Sequence, residues 1–320
     1  MVSRQHAGDS GHRSPAAPGD RHPLDPLDAA EIRLAVEILR RQQPVTPEAR
    51  FVSVTLHEPP KDQVVFAAAD PPGQPPGAVP REAFVVLLEP RQHAVYEAVV
   101  SLTAGSVRSW RSVPDARAPF TAAECVQCGV VTRADERILA GLKRRGITDP
   151  GRVRVEPWGI GAFTAAQEAG RRVVWTLLFY RERADDNPHA KPTHGLHAIV
   201  DLDEQTVLRV EDTGPVPLPP GSGGYAPDRV GPLRDDLKPL EISQPEGPSF
   251  DVSGWEVRWQ RWRLRLGFTA REGLVLHTVG YEDAGEVRRI LWRASVAELF
   301  SPCADPQPYQ GWRNAFDIGE

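Results

Sequence analysis

Sulfur is scarce in this sequence, which has three cysteines and one methionine in 320 residues. A small, odd number of cysteines excludes the disulfide framework that holds small secreted domains together. Residues 1–21 are polar and contain no apolar run long enough for a signal peptide or a membrane span. We therefore expect a disordered tail over residues 1–21 and a cytoplasmic protein with no membrane partner.

A surplus of positive charge is also absent. The formal net charge is −5, and the arginines are scattered along the chain rather than gathered in one run. Nucleic-acid binding needs a basic patch, so we expect no nucleic-acid partner. The chain is longer than the roughly 250–300 residues at which single cores usually divide, and its hydrophobic content of 40% can fill several cores. We expect more than one domain.

Cys125 and Cys128 have the Cys-x-x-Cys spacing of some zinc and redox sites. No second pair accompanies them. Thr121 and Glu124 form a capping box, which predicts a helix with both cysteines on its first turns, where small apolar side chains commonly pack. We favour packed thiols over a zinc or redox site.

Three histidines, His189, His194 and His197, fall within nine residues of sequence. A metal site needs ligands that converge on one point. Gly195 and the strand that follows it would direct His194 and His197 to opposite faces, so we expect no metal site there.

The chain shows twice a pattern of helix followed by strands. In residues 22–115, Asp28 and Glu31 predict a capped helix with Ile32, Ala35, Val36 and Leu39 on one face, followed by strands at 51–56, 84–88 and 95–102. In residues 116–212, a helical segment from Thr121 to Gly146 precedes strands at 153–157, 172–180, 196–202 and 207–210. Residues 213–232 are rich in proline and glycine and predict a linker or wrapping loop.

Residues 233–320 contain a tryptophan-rich run that starts at Trp255. Trp255, Val257 and Trp259 alternate with polar residues, and so do Leu264, Leu266 and Phe268, with a break at Arg261 and Trp262 that we interpret as a β-bulge. The predicted fold class is α+β: two helix-on-antiparallel-sheet domains, followed by the first strands of a truncated β-sandwich domain. We expect this last segment to be incomplete, because its strands would leave uncovered faces and edges.

Several motifs, in order, resemble the copper-containing primary amine oxidases. Residues 314–320 read Asn-Ala-Phe-Asp-Ile-Gly-Glu, which resembles the motif that carries the family's catalytic aspartate. The preceding stretch resembles the start of the family's catalytic domain, and two upstream stretches resemble its small leading domains. The matching residues are 22–27, 195–202, 241–250, 271–274, 279–283, 293–295 and 304–306.

The resemblance implies roles for five residues. Asp317 would be the general base that takes a proton from the amine's carbon, with Phe316 beside it, and Ala315 would stand at the family's gate position, where a small side chain resembles the subgroup with a wider entrance. Trp158 and His189 fall where members of the family line the amine's channel. A surface tryptophan packed on its own loop and a solvated histidine remain an equal alternative for these two.

The resemblance also implies copper, a topaquinone cofactor, a primary amine substrate, O2 and a homodimer for the full-length enzyme. The family makes its quinone from a tyrosine that follows an asparagine, and none of the five tyrosines here does so. The family's copper is held by three histidines, two of which are separated by a single residue. No histidine in this sequence has another at i+2. We therefore expect an N-terminal portion of an amine oxidase that is inactive alone. The alternative is a non-catalytic binding or assembly module of two α+β domains.

Overall fold

The computed structural model describes residues 21–64, 79–159, 168, 170–221, 223–225, 227–232 and 234–296. These residues form three antiparallel sheets that follow one another along the chain. Helices cover one face of each of the first two sheets, so the predicted α+β class is confirmed. In the described part of the chain, no helix combines the length and apolarity needed to cross a membrane.

The first unit packs one helix against a four-stranded sheet. Helix α1, Ala29–Gln42, begins with the predicted capping box: Asp28 accepts from the backbone of the first turn, and Glu31 accepts in return from the Asp28 N–H. The buried helix face consists of Ala35, Ile38 and Leu39, which pack on the sheet. The sheet has the order β1-β2-β3-β4, with β1 at Arg50–Leu56, β2 at Glu82–Glu89, β3 at Ala94–Ser101 and β4 at Ser106–Val113.

Strand β4 is absent from the sequence-based prediction. Its sequence, Ser-Val-Arg-Ser-Trp-Arg-Ser-Val, places arginines and serines on its exposed positions. Only Val107 and Trp110 of this strand join the core of the first unit. A polar edge strand gives too weak an alternation of apolar residues to be recognised without its partner β3.

The second unit carries two helices on its sheet, where the sequence predicted one. Helix α2, Ala122–Ala134, begins at the predicted capping box of Thr121 and Glu124, but it ends at Asp135. The Asp135 carboxylate accepts from the Arg137 and Ile138 N–H groups and starts α3, Glu136–Arg144. The prediction of one helical segment was wrong because Asp135 leaves the helical conformation and caps a new helix, while the periodicity of apolar residues continues through it.

The sheet of the second unit is the predicted meander, in the order β5-β6-β7-β8. Its strands are β5 at Val153–Gly159, β6 at Val173–Tyr180, β7 at Leu196–Asp201 and β8 at Thr206–Asp212. The helices cover one face, where Ile138 and Leu142 of α3 pack with Leu178, Leu196 and other buried residues. The opposite face, called here the helix-free face because no α-helix of the described residues covers it, holds a second apolar cluster of Val173, Trp175, Leu177 and Ile199.

The segment after the second sheet wraps back on that unit. It contains one short helix, α4, Pro227–Val230. The Gly223 carbonyl accepts from the Asn187 N–H at 2.9 Å, and a Cβ at Gly223 would lie 2.8 Å from that of Ala190. These contacts favour the wrapping loop over a free linker.

The third sheet has five strands in the order β13-β12-β11-β10-β9. They are β9 at Phe250–Ser253, β10 at Glu256–Trp259, β11 at Trp262–Thr269, β12 at Gly273–Asp283 and β13 at Glu286–Ser295. The expected β-bulge at Arg261 and Trp262 is a two-residue hairpin turn instead. Trp259 pairs with Trp262, and Gln260 adopts a left-handed φ of 54°. The phase of the alternation breaks there because one strand ends and the next begins.

Candidate functional site

Three of the five residues to which the sequence assigns a site role, Ala315, Phe316 and Asp317, lie outside the described residues. Trp158 and His189 are described, and both belong to the helix-free face of the second sheet or to its rim. The geometry of the candidate site is therefore that of this face.

His189 lies in a short turn, Pro188–Ala190, that is capped by the Asn187 side chain. Its ring nitrogen Nε2 is 2.8 Å from Glu156 Oε1, and its ring meets Phe179 edge-on at a centroid distance of 5.0 Å. The His189 side chain is 54% exposed, whereas that of Glu156 is 19% exposed. The histidine therefore sits at the rim, held between a carboxylate and an aromatic ring.

Trp158 lies two residues beyond Glu156 on β5, so both side chains point to the same face. It is half-buried, pairs across the sheet with Trp175 and packs with the apolar cluster of Val173, Leu177 and Ile199. The alternative of a surface tryptophan packed on its own loop does not hold, because Trp158 lies within a strand and joins the cluster.

A further group of side chains on this face has no counterpart in the sequence-based expectations. Trp175 is buried, and the Arg209 guanidinium lies 5.7 Å from the centroid of its ring. The Arg209 Nε donates to the buried Glu168 carboxylate at 2.7 Å. His197 is also buried, 3.1 Å from the Thr176 carbonyl oxygen through Nδ1 and 5.9 Å from Trp175 between ring centroids.

A sequence signal for this buried face was present. Residues 173–178 of β6 are buried without interruption, and a strand with a continuous apolar run is covered on both faces. A helix layer accounts for one of these faces. The sequence therefore indicated that the opposite face of the sheet is also buried. That face is the aromatic and charged one that includes Trp175.

The chemistry of this face suits recognition of organic cations. Aromatic faces attract ammonium and guanidinium groups, as Arg209 over Trp175 shows. Glu156 adds a carboxylate, which also accepts from Arg154 Nε at 2.5 Å. The face can thus line a path or a contact surface for a positively charged group.

In residues 21–64, 79–159 and the later described segments, no three side chains of histidine, cysteine, aspartate or glutamate gather as ligands. Cys125 and Cys128 do lie on α2 as predicted, with Cys128 buried. Burial raises the pKa of the Cys128 thiol to about 12, so it stays a neutral packed group near neutral pH.

Comparison with known families finds three matches in chain order. Residues 22–113 match the copper amine oxidase N2 domain, residues 123–223 match the N3 domain, and residues 251–320 match the enzyme domain of the same family. The Asn-Ala-Phe-Asp-Ile-Gly-Glu sequence at residues 314–320 falls inside the last of these matches.

Curated relatives agree with this order. The chain is 42% identical over 308 residues to a primary amine oxidase of Arthrobacter sp. (strain P1), covering 96% of this chain and 46% of that protein. It is 38% identical to a histamine oxidase of Arthrobacter globiformis, covering 94% of this chain and 43% of that protein. The chain thus spans about half the length of the curated relatives it matches.

Solved structures give the same fold. A copper-containing benzylamine oxidase from Hansenula polymorpha superimposes with a TM-score of 0.76 at 23% identity, covering 93% of this chain and 48% of that structure. An amine oxidase from Aspergillus nidulans superimposes with a TM-score of 0.62 at 17% identity, covering 96% of this chain and 46% of that structure. At these identities the similarity shows the fold. The three domain matches place the chain in the copper amine oxidase family, as an N-terminal portion with the N2 domain, the N3 domain and the start of the enzyme domain.

Proposed function

We propose that the whole protein to which this chain belongs oxidises primary amines. The reaction takes an amine, O2 and water and gives an aldehyde, ammonia and hydrogen peroxide. One observation carries the proposal: three domain matches in family order, with 42% identity to a primary amine oxidase over nearly the whole chain. We also propose that the whole protein takes a primary amine as its substrate and forms a homodimer.

Asp317 is the proposed general base of that reaction, with Phe316 and Ala315 beside it at the entrance. Support comes from the motif at residues 314–320 and from its place within the enzyme-domain match. A general base must lie within hydrogen-bond reach of the proton that it removes, here the proton on the amine's carbon. A base positioned in this way raises a reaction rate by roughly 10²- to 10⁴-fold.

The family's copper and topaquinone do not fit the residues present in this chain. The chain lacks a tyrosine after an asparagine and a His-x-His pair. The described residues offer no group of three metal-ligating side chains. We propose that the 320-residue chain is inactive by itself.

The contribution that we propose for the second unit is a wall of the amine's route. Trp158 and Phe179 offer aromatic surface that attracts an ammonium group, and Glu156 and His189 supply polar groups at the rim. Because β5, β6 and the 188–190 turn hold these side chains in place, the wall is formed before any substrate arrives.

A binding or assembly module is the second candidate. It is favoured by exposed aromatic side chains on the third sheet, among them Trp255 at 42%, Trp259 at 48% and Phe268 at 67% exposed. Apolar surface of this kind marks contact with another protein surface or another part of the same protein.

The first of two assays tests the inactivity of the chain by itself, and the second separates the two candidates. The first is a peroxide-coupled amine oxidase assay on the purified chain, loaded with copper(II) under air, with the visible spectrum recorded for a quinone band. We expect neither turnover nor a band. The second uses a chimera in which residues 22–320 replace the matching part of the copper methylamine oxidase of Arthrobacter sp. (strain P1), assayed with methylamine.

We expect the chimera to release hydrogen peroxide, and the Asp317→Asn chimera to lose roughly 10²- to 10⁴-fold in kcat. A chimera that folds, binds copper and forms the quinone but releases no peroxide would favour the module. The cytoplasmic location is also a proposal, which fractionation of the native cells tests by comparing soluble and membrane-bound material.

A further inference from the structure

A row of three side chains crosses the third sheet in register. Arg265 of β11 pairs with His277 of β12, and His277 pairs in turn with Arg293 of β13. Directly opposed residues of antiparallel strands project to the same face. The row Arg265, His277, Arg293 therefore presents two permanent cations with an imidazole between them.

This row faces the first unit, which supplies carboxylates to both arginines. The Arg265 Nη2 donates to Asp25 at 2.6 Å, and the Arg293 Nε donates to the two oxygens of Glu58 at 3.0 and 3.1 Å. The side chains of Arg265 and Asp25 are 15% and 14% exposed, so this pair is largely desolvated. The two ion pairs join the first unit to the third sheet.

His277 has no comparable partner. The residue is 3% exposed, and its Nε2 lies 3.9 Å from Glu58 Oε1, beyond hydrogen-bond distance. Its Nδ1 has no hydrogen-bond partner among the described residues. Gly267 leaves room for the ring, because a Cβ there would lie 2.8 Å from His277 Nε2.

A cavity of about 150 Å³ adjoins the imidazole at the junction of the two units. Leu24, Leu56 and Phe268 form part of its apolar wall, and Glu58 and His277 supply polar groups. The junction is thus incompletely filled at the position where His277 lies. A buried imidazole in such a place is stable when neutral, because a charge there would be poorly solvated.

The charges around His277 oppose a proton on its ring. Burial lowers the pKa of His277, and the neighbouring arginines act in the same direction, while Glu58 and Glu272 oppose them. Burial and Arg265 also lower the pKa of His22, which lies in the same junction, to about 4. The charged and titratable groups that face the junction are Arg265, Arg293, His22, Asp25, Glu58, Glu256 and Glu272.

We propose that the junction of the first unit and the third sheet is an acid-labile latch, with His277 as its sensor. While the imidazole is neutral, the four carboxylates that face the junction pair with Arg265 and Arg293, and Glu58 Oε1 stays 3.9 Å from His277 Nε2. A proton on His277 adds a third cation to the buried row, and opening the junction lets water solvate it. The proposal concerns the chain itself and does not depend on the function proposed above.

The sign of the pH dependence follows from linkage. In the open junction His277 has an ordinary pKa near 6.5, and in the closed junction its pKa is lower. The closed form therefore has its full stability above pH 6.5 and loses it as the pH falls toward the lowered pKa. Within that window, the equilibrium constant for opening rises by up to about tenfold per pH unit.

The test is hydrogen–deuterium exchange of the whole 320-residue chain at pH 7.5, 6.5 and 5.5, with labelling times scaled to the intrinsic exchange rates. The reporters are peptides from residues 21–28 and from β11 and β12, and peptides from β7 serve as an internal reference. At pH 5.5 carboxyl groups with ordinary pKa values near 4 remain ionised. We expect protection of the reporters to fall several-fold by pH 5.5 while that of β7 stays constant.

Two variants assign the effect to His277. His277→Gln removes the titratable ring and should abolish most of the pH dependence, and His22→Gln combined with it should remove the remainder. His57→Gln, at a histidine of the first unit whose side chain is 44% exposed, should behave like the unaltered chain.

A direct titration of the His277 ring by NMR in the unaltered chain keeps the test decisive if a variant does not fold. A midpoint below 6.5 that coincides with the loss of protection supports the latch. The proposal is overturned if protection of the reporters is unchanged from pH 7.5 to 5.5, if His277→Gln keeps the full pH dependence, or if the His277 midpoint lies at or above 6.5.

Discussion

Arg172 and Glu124 form a buried ion pair in which the Arg172 Nη1 donates to Glu124 Oε1 at 2.9 Å. The two residues are 6% and 4% exposed. Glu124 is at the same time the capping-box residue of α2, and Arg50 of the first unit also donates to it. One carboxylate thereby anchors a helix start, a strand start and the contact between two units.

Removal of Arg172 should be strongly destabilising. Arg172→Ala leaves the Glu124 carboxylate buried with fewer partners, and breaking a buried pair of this kind costs about 3–5 kcal/mol. The measurement is the free energy of unfolding in urea. The matched control is Arg171→Ala, at the adjacent residue with a side chain 47% exposed, which should change the stability much less. Equal effects of the two variants would contradict this account.

Asp135 should be required for the break between α2 and α3. Asp135→Ala removes the side chain that accepts from the Arg137 and Ile138 N–H groups, and loss of such a cap costs about 0.5–2 kcal/mol. Thermal unfolding followed by circular dichroism measures the loss. Asp149→Ala, which removes the cap of a single 3-10 turn, is the control with a smaller expected effect. If Asp135→Ala left the stability unchanged, packing alone would set the position at which α2 ends and α3 begins.

Glu272 should contribute to acid stability. The Arg293 side chain holds the pKa of Glu272 down to about 2, from an ordinary value near 4.5. The folded state therefore has this contribution above pH 4.5 and loses it as the pH falls toward 2. Unfolding measured from pH 6 to pH 2 should show a steeper loss for the unaltered chain than for Glu272→Gln. Parallel curves would show that the Glu272–Arg293 pair does not contribute.

Gly195 should tolerate no side chain. Its φ is +71°, and a Cβ there would lie 2.3 Å from Thr213 Oγ1 and 3.3 Å from the Gly214 carbonyl oxygen. Gly105 has a φ of +64° with open space around it, so Gly105→Ala adds backbone strain of about 1–2 kcal/mol and no clash. Gly195→Ala should lower the melting temperature more than Gly105→Ala does. If both changes lowered it equally, the contact with Thr213 would carry no cost.

Trp158 should influence substrate choice in the chimera proposed above. If this side chain lines the amine's route, Trp158→Ala should change kcat/KM for benzylamine relative to methylamine by roughly threefold to tenfold, the range of one aromatic contact. Trp110→Ala, at a half-buried tryptophan of the first unit, should leave that ratio unchanged. An unchanged ratio for Trp158→Ala in an active chimera would place the channel elsewhere.

Local hydrogen bonding made part of the fold predictable. The capping boxes at Asp28 and Thr121 appear in the structure as expected, because each depends only on residues three apart. The polar strand β4 and the turn at Gln260 were missed, because an edge strand needs its partner and a two-residue turn without glycine has a weak signature.

The candidate site was predicted in part, by resemblance. Trp158 and His189 were named from the sequence, and the structure places both at one face of the second unit. Glu156 and Phe179 were missed, because only the pairing of β5 with β6 and the return of the 188–190 turn bring them to His189. The roles of Asp317, Phe316 and Ala315 stay predictions.

The sequence by itself determined the family, the α+β class and the starts of α1 and α2, since motifs, periodicity and capping boxes are properties of short stretches of chain. Tertiary structure alone decided which charges meet. Asp25 reaches Arg265 across 240 residues and Glu58 reaches Arg293 across 235. Strand register places His277 between those two arginines. Register is fixed by the packing of whole sheets, so no local pattern could have shown that this imidazole lies buried in a row of cations.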